Sequence, residues 1–247
     1  MNTASASPNE SPLATPGHPP SRRVIDAPTR ALHWLLAFSF TGAYLSAESE
    51  RWHLLHVTLG YTGLGLVLAR LAWGLVGPKR VRLSGWFSKL RGLPQQLLAW
   101  PQGKGNLLAS YQGLNTLAVV AILLAALTAA LSGVGLEQAW WGNRWEDALE
   151  ELHELLGNAS LGLVLAHLAL IAGVSLLRRH NHAGPMLSGR SPGKGPDLVK
   201  QNMSPLALLL VAVVMGFWWW QWQDAPSKLS DRPGISARHQ SSHDDDD

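Results

Sequence analysis

Five stretches of this chain are apolar for long enough to cross a bilayer as helices, and that alone excludes most soluble folds. They lie near Ala31–Ser46, Leu54–Val76, Asn115–Leu136, Leu152–Leu177 and Pro205–Gln221. Each approaches the ~20 residues that span the hydrocarbon core at about 1.5 Å per residue. The first is short, and Ala27–Leu32 can extend it. The runs are continuous and rich in Leu and Ala rather than alternating, which argues against membrane strands. The expected class is an all-α polytopic membrane protein, a four-helix transmembrane bundle with a fifth, C-terminal transmembrane helix.

The charged residues sit between these runs, and their signs alternate. Arg22, Arg23 and Arg30 precede the first run, and Lys79, Arg80, Arg82, Lys89, Arg91 and Lys104 follow the second. Arg178, Arg179, Arg190, Lys194 and Lys200 follow the fourth. The intervening connections carry Glu48, Glu50 and Arg51, then Glu137, Arg144, Glu146, Asp147, Glu150 and Glu151. Basic loops stay inside, so the N-terminus is expected in the cytoplasm and, after five spans, the C-terminus in the periplasm. The net charge of +3 is therefore a topology signal and not a nucleic-acid signal. Trp140, Trp141 and Trp145, and the run Trp218, Trp219, Trp220 and Trp222, fall on the same outer side as an aromatic belt.

The spans delimit the rest. Residues 1–21 read as a disordered arm, 22–190 as the bundle, 191–203 as a basic linker, 204–223 as the fifth span and 224–247 as a polar acidic tail ending in Asp244–Asp247. The segment Trp86–Ser110 mixes Leu and Trp with Lys and Arg, which suits an interfacial helix.

Histidines inside the apolar runs carry the chemistry, because a titratable ring in hydrocarbon is costly. His33 opens the first run, His56 the second, and His153 and His167 share the fourth. His153 and His167 are fourteen apart. At about 100° per residue they return to nearly one helix face, about 21 Å apart along the axis. With the topology above, His56 pairs with His153 near the outer surface and His33 with His167 near the inner one. Two ligand pairs at two depths are what two stacked haems require. Bis-imidazole iron has both axial positions filled, which suits electron transfer. There is no cysteine, so thioether attachment, thiolate metal sites and iron–sulfur clusters are excluded.

Small residues fit this scheme. Gly60 lies four after His56 and Gly157 four after His153, one turn from each ligand, where a flat macrocycle must approach the helix. Arg30, one turn before His33, is placed either to pair a haem propionate or to serve as an ordinary basic flank. His53 competes with His56 one turn nearer water, and His180 and His182 read as surface residues. Gly63-Leu64-Gly65 lies within a span and is no dinucleotide loop, and His153-Glu154 does not continue as the zinc motif HExxH.

Several segments together resemble the bacterial cytochrome b561 family, in the branch that includes b-type cytochrome subunits of nickel–iron hydrogenases. They are Asp26–Trp34, His56–Gly60, Arg70–Gly77, His153–Gly157 with His167, and Gly184–Arg190. The resemblance covers about residues 22–190. It implies a four-helix bundle holding two non-covalent b haems on the histidine pairs above. Relatives often show Gly-His-Asn-Pro before the third span, where this chain reads Gln112-Gly113-Leu114-Asn115. The expected function is transfer of electrons across the bacterial inner membrane, between the quinone pool and an outer-face partner. That partner is a periplasmic c-type cytochrome or a hydrogenase or dehydrogenase subunit, and quinone oxidoreductase activity stays open. The alternative is a transporter or ion-conducting bundle that uses its histidines as relays.

Overall fold

The computed structural model describes residues 20–78, 82–140, 142 and 144–230, with side chains as far as 224. Most of the N-terminal arm, Lys79, Arg80, Trp141 and the terminal Asp244–Asp247 lie outside the described residues. Helix α1 spans Ala27–Ser46, α2 His53–Val76 behind a 3₁₀ turn at Glu50–Trp52, and α3 Ser84–Ala99. Helix α4 spans Leu107–Glu137, α5 Glu146–Arg178, α6 Gly184–Ser188 and α7 Ser204–Ser230. Among the described residues four stretches, and not the five expected, are long and apolar enough to cross a membrane: Glu50–Val76, Leu107–Glu137, Glu146–Arg178 and Ser204–Asp224. Helix α1 is more polar, with Thr29, Arg30, His33, Ser39 and Thr41 along its 20 residues. It lies along α2 and α7.

Several helices begin earlier than their apolar cores. The α4 helix starts at Leu107, where the Asn106 side chain accepts from Ala109 N–H and satisfies a free donor of the first turn. The α5 helix starts at Glu146, and Glu146 and Asp147 in its first turn complement the positive end of the helix dipole. The segment Trp86–Ser110 is consequently not one interfacial helix. It divides into α3, a turn, and the first turn of α4, with Trp100 Nε1 donating to Ser110 Oγ across the break (2.9 Å). Leu93 of α3 seats on Gly113 of α4, where an added Cβ would lie 2.8 Å from the leucine Cδ1.

A short antiparallel pair joins the ends of the bundle. Strand β1, Ser21–Arg23, pairs with β2, Arg190–Pro192. Ser21 is therefore the start of an ordered element, and the segment after Arg190 packs on the fold instead of hanging free. Val199 is buried, and Asn202 O accepts from Ala27 N at the start of α1 (3.0 Å).

The packing is uneven. Helix α1 packs along α2, α2 touches α4, and α4 runs closely against α5. Helix α7 leans on the α1–α2 pair, where Leu32, Leu66 and Val214 form a core flanked by Trp73, Leu210 and Trp218. Helix α5 approaches neither α1 nor α2 closely along its backbone. A slot is left between α5 and the α1–α2 pair, and it is side chains that cross it.

Candidate haem-binding site

The four histidines singled out in the sequence stand in two pairs, His56 with His153 in ring contact and His33 with His167 within electrostatic range. At one end the rings of His56 and His153 meet edge to face, with centroids 5.9 Å apart and planes at 80°. Two imidazoles sharing one metal atom at about 2 Å per bond need roughly this spacing. Each ring is oriented by a backbone carbonyl. His56 Nδ1–H donates to Ala43 O (2.8 Å), and His153 Nδ1–H donates to Ala129 O (2.7 Å). A carbonyl can only accept, so Nδ1 carries the proton and Nε2 keeps its lone pair free for a metal. An imidazole ligand held by a carbonyl on its far nitrogen is the usual support of a metal site.

The glycines around this pair fall into two kinds. A Cβ on Gly133 of α4 would lie 2.8 Å from His153 Cε1, so only glycine lets that ring lie against α4. Sequence reasoning missed Gly133; no spacing to a ligand on its own helix marks it, because its partner is on α5. At Gly60 and Gly157 an added Cβ would meet nothing within 4 Å. Gly60 and Gly133 line, with His56, Tyr61, Glu137 and His153, a cavity of about 50 Å³. Gly60 thus adjoins the cavity beside the histidine pair, whereas the space at Gly157, like that at Gly63, Gly65, Gly162 and Gly173, marks no site by itself.

At the other end stand His33 and His167, close enough to interact electrostatically. His33 lies edge-on to Trp34 at 5.2 Å. His167 Nδ1 is buried with no hydrogen-bond partner among the described residues. An unsatisfied buried polar atom costs about 1–3 kcal/mol, so it marks a place completed by something else. Two ties hold α6 and α1 together at this end: Arg30 Nη1 donates to Leu187 O (2.9 Å) and Trp34 Nε1 to Met186 O (3.2 Å). Arg30 is thus half engaged, and its Nε is buried without a partner. Between the two ends Tyr44 O–H donates to Asn158 Oδ1 (2.9 Å) and bridges α1 to α5.

The other histidines sort themselves by geometry. His53 lies at the exposed edge, 3.2 Å from Glu137 Oε2, and does not enter the slot. His182 is less superficial than the sequence suggests: it stands between Tyr111 and His180, with ring centroids at 5.4 and 5.3 Å. Its pKa is lowered by desolvation and then by the charges of His180 and Arg178. Trp219, Trp220 and Trp222 are exposed as a belt requires, whereas Trp218 turns inward and donates to Thr62 Oγ1 (2.9 Å).

Two nitrogen ligands at each end cannot hold a metal ion alone. Among the described residues no group of three or more His, Asp or Glu side chains gathers for one. The donor set suits a metal that brings its own in-plane ligands, which is what a porphyrin supplies. A family model of prokaryotic cytochrome b561 matches residues 24–189. The chain belongs to that family. Prokaryotic cytochromes b561 bind haem b, so this is a membrane b-type cytochrome of electron transfer. The matched region ends at Gly189 and leaves α7 outside the family core. No curated protein and no solved structure matches the chain.

Proposed function

We propose that this cytochrome holds two b haems, one between His56 and His153 and one between His33 and His167, and carries electrons across the bacterial inner membrane. The observation that supports it best is the slot itself. Helix α5 stands away from α1 and α2, and the space is crossed at both ends by histidine pairs.

His56 with His153, and His33 with His167, would hold the haems, and a bound haem b would supply one-electron chemistry. The chain's own part is orientation and exclusion. The carbonyls of Ala43 and Ala129 hold two imidazoles in the tautomer that presents Nε2. Gly133 admits the His153 ring, and Gly60 and Gly157 leave a flat surface clear. Leu and Ala side chains of the surrounding helices keep water out.

The basic residues at the His33–His167 end, from Arg22 through Lys89 to Arg178 and Lys200, support a cytoplasmic position for it. The acidic connections support a periplasmic position for the His56–His153 end, with five spans and an outer C-terminus. On this reading the inner end exchanges electrons with the quinone pool. The outer end meets a periplasmic c-type cytochrome or a hydrogenase or dehydrogenase subunit. The test is an optical spectrum with a haem assay on purified protein. Two low-spin, non-covalent b haems per chain are expected. A ratio near one would remove the two-haem reading, and a protein without haem after expression with ample haem would return the histidines to a relay in a transporter.

A further inference from the structure

The most unusual residue of the slot is an arginine. Arg70 lies within α2, a helix long and apolar enough to span the membrane. It is fourteen residues beyond His56, the same interval that separates His167 from His153 on α5. Fourteen residues at about 100° each return to the same helix face, about 21 Å further on. So α2 carries a ligand at one end of the slot and a guanidinium at the other, in the register where α5 carries its second ligand.

Its surroundings match this placement. Arg70 is in electrostatic reach of His33 and of Asp26. Its guanidinium carbon stands 5.0 Å over the Trp86 ring of α3, which shields one face. Its Nη1 is buried with no hydrogen-bond partner among the described residues. Asp26 is fully buried, with one oxygen accepting from Thr29 N–H (2.8 Å) and the other unpartnered. The Asp26 charge acts on Arg70 through space. Arg30 Nε and Thr29 Oγ1, on the same turn of α1, are also buried and unpartnered. An intramembrane cation with an idle donor calls for an anion, and guanidinium donors match a carboxylate above all.

We propose that Arg70 binds a propionate of the haem held by His33 and His167, with Arg30 beside it and Asp26 as the counter-charge. This assigns to the inner haem a positive neighbour that the outer haem lacks. It rests on the two-haem reading. Its consequence is electrostatic. A cation beside a haem favours the reduced form, because reduction removes one positive charge from the iron centre, and a buried carboxylate does the reverse.

The test is a redox titration of the membrane-extracted protein, read at each haem band, with the bands assigned by histidine variants. Arg70→Gln should shift the inner haem toward oxidation by about tenfold in its reduction equilibrium, which is ~59 mV downward for one electron. Asp26→Asn keeps the helix cap, because asparagine caps as well as aspartate, and should shift the same haem upward. The outer haem should move in neither variant. Opposite signs from two neighbouring residues are not produced by a general loosening of the fold. An inner midpoint indifferent to both changes, or moved in the same direction by both, would overturn the assignment. So would equal movement of both haems. Should Arg70→Gln not accumulate, Arg70→Lys gives the complementary reading: the charge stays and the planar fork goes, so a downward shift smaller than that of the uncharged variant is expected, and an upward shift would overturn the assignment. Haem labelled with ¹³C at the propionates separates a haem carboxylate from a lipid phosphate as the anion. The labelled band in redox-difference infrared spectra should move in the arginine variant, and an unchanged band would overturn the proposal. A protein with two haems and an indifferent inner midpoint would lose this assignment alone, whereas a protein with no haem would lose the reading beneath it.

Discussion

The two ends of the slot use the same ligand chemistry in opposite electrostatic settings. The His56–His153 end is organised by backbone carbonyls and a glycine, with one carboxylate, Glu137, in the cavity wall. The two carbonyls fix the rings, the glycine makes room, and the Glu137 carboxylate is engaged by His53. The His33–His167 end is crowded with charge: Arg30, Arg70 and a fully buried Asp26, several of their polar atoms unpartnered. One end is held by hydrogen bonds that are already made. The other keeps donors in reserve. On the two-haem reading, matching histidine pairs would therefore not give matching potentials, because burial and nearby charge tune an iron as much as its ligands do. A membrane cytochrome needs such an asymmetry if electrons are to pass between two dissimilar partners.

The largest effect that can break this comparison is loss of a ligand. His56→Ala and His153→Ala should each remove one haem, and the same one. His33→Ala and His167→Ala should each remove the other. A pyridine haemochrome assay should fall from two haems to one, with matching residual spectra within each pair. If His33→Ala and His153→Ala behaved alike, the pairing across the slot would be wrong. Loss of haem in His53→Ala with retention in His56→Ala would move that ligand one turn toward water.

Next in size is the glycine that serves only one end. Gly133→Ala places a Cβ about 2.8 Å from His153 Cε1, and the ring must shift off its carbonyl. Overpacking of this kind costs about 1–3 kcal/mol, which should appear as weakened or lost haem at the His56–His153 end alone. An unchanged spectrum at that end would mean that the His153 ring lies elsewhere when haem is bound. Gly157→Ala has open space here, so any haem loss it causes would measure how closely the macrocycle itself approaches α5.

The acidic connections offer a smaller effect, on rate and not on haem content. Glu146, Asp147, Glu150 and Glu151 are exposed at the His153 end of α5. Glu137 is not free to join them, since it meets His53 at 3.2 Å. An exposed acidic face speeds encounter with a basic partner by about tenfold or more, and the Debye length of about 10 Å at 0.1 M salt limits its reach. Neutralising Glu146, Asp147 and Glu150 should slow stopped-flow electron transfer to a basic c-type cytochrome by about tenfold at low salt. The difference should vanish at high salt. A rate indifferent to salt and to these changes would leave this face with no docking role.

The sequence carried much of this, and its gaps have physical causes. Long apolar runs and a fourteen-residue histidine interval are properties of a single helix, so α2, α4, α5 and the slot-facing register of His153 and His167 can be read directly. Contacts made between helices cannot be read in that way. Gly133 matters because of a ring on α5, and the carbonyls of Ala43 and Ala129 carry no side-chain signature at all. The segment after Arg190 reads from the sequence as a basic linker. It pairs as β2 with β1 because the N-terminal segment lies beside it, a partner more than 160 residues away in the chain. Trp218 reads as one more ring of a belt until α2 supplies Thr62 as its acceptor.

That tryptophan supports the smallest and most specific test of the comparison. Helix α7 packs mainly on α1 and α2, with Trp218 set against Phe38 at 5.7 Å and bonded to Thr62. Thr62 lies between His56 and Arg70 on α2, so the contact falls between the two ends and touches neither ring. Trp218→Phe keeps an aromatic ring in the α1–α2–α7 core and removes the donor with part of the indole volume, whereas Thr62→Val removes the acceptor at nearly constant volume. Interhelical hydrogen bonds in membranes are worth about 0.6 kcal/mol on average, so a denaturant titration should show a loss of that order. Both haem midpoints should stay where they are, because neither the ligands nor the charges around them have changed. A selective shift of one midpoint would mean that α7 reaches into that end of the slot. The asymmetry would then belong partly to the fifth helix, outside the family core, and not only to Arg70 and Asp26.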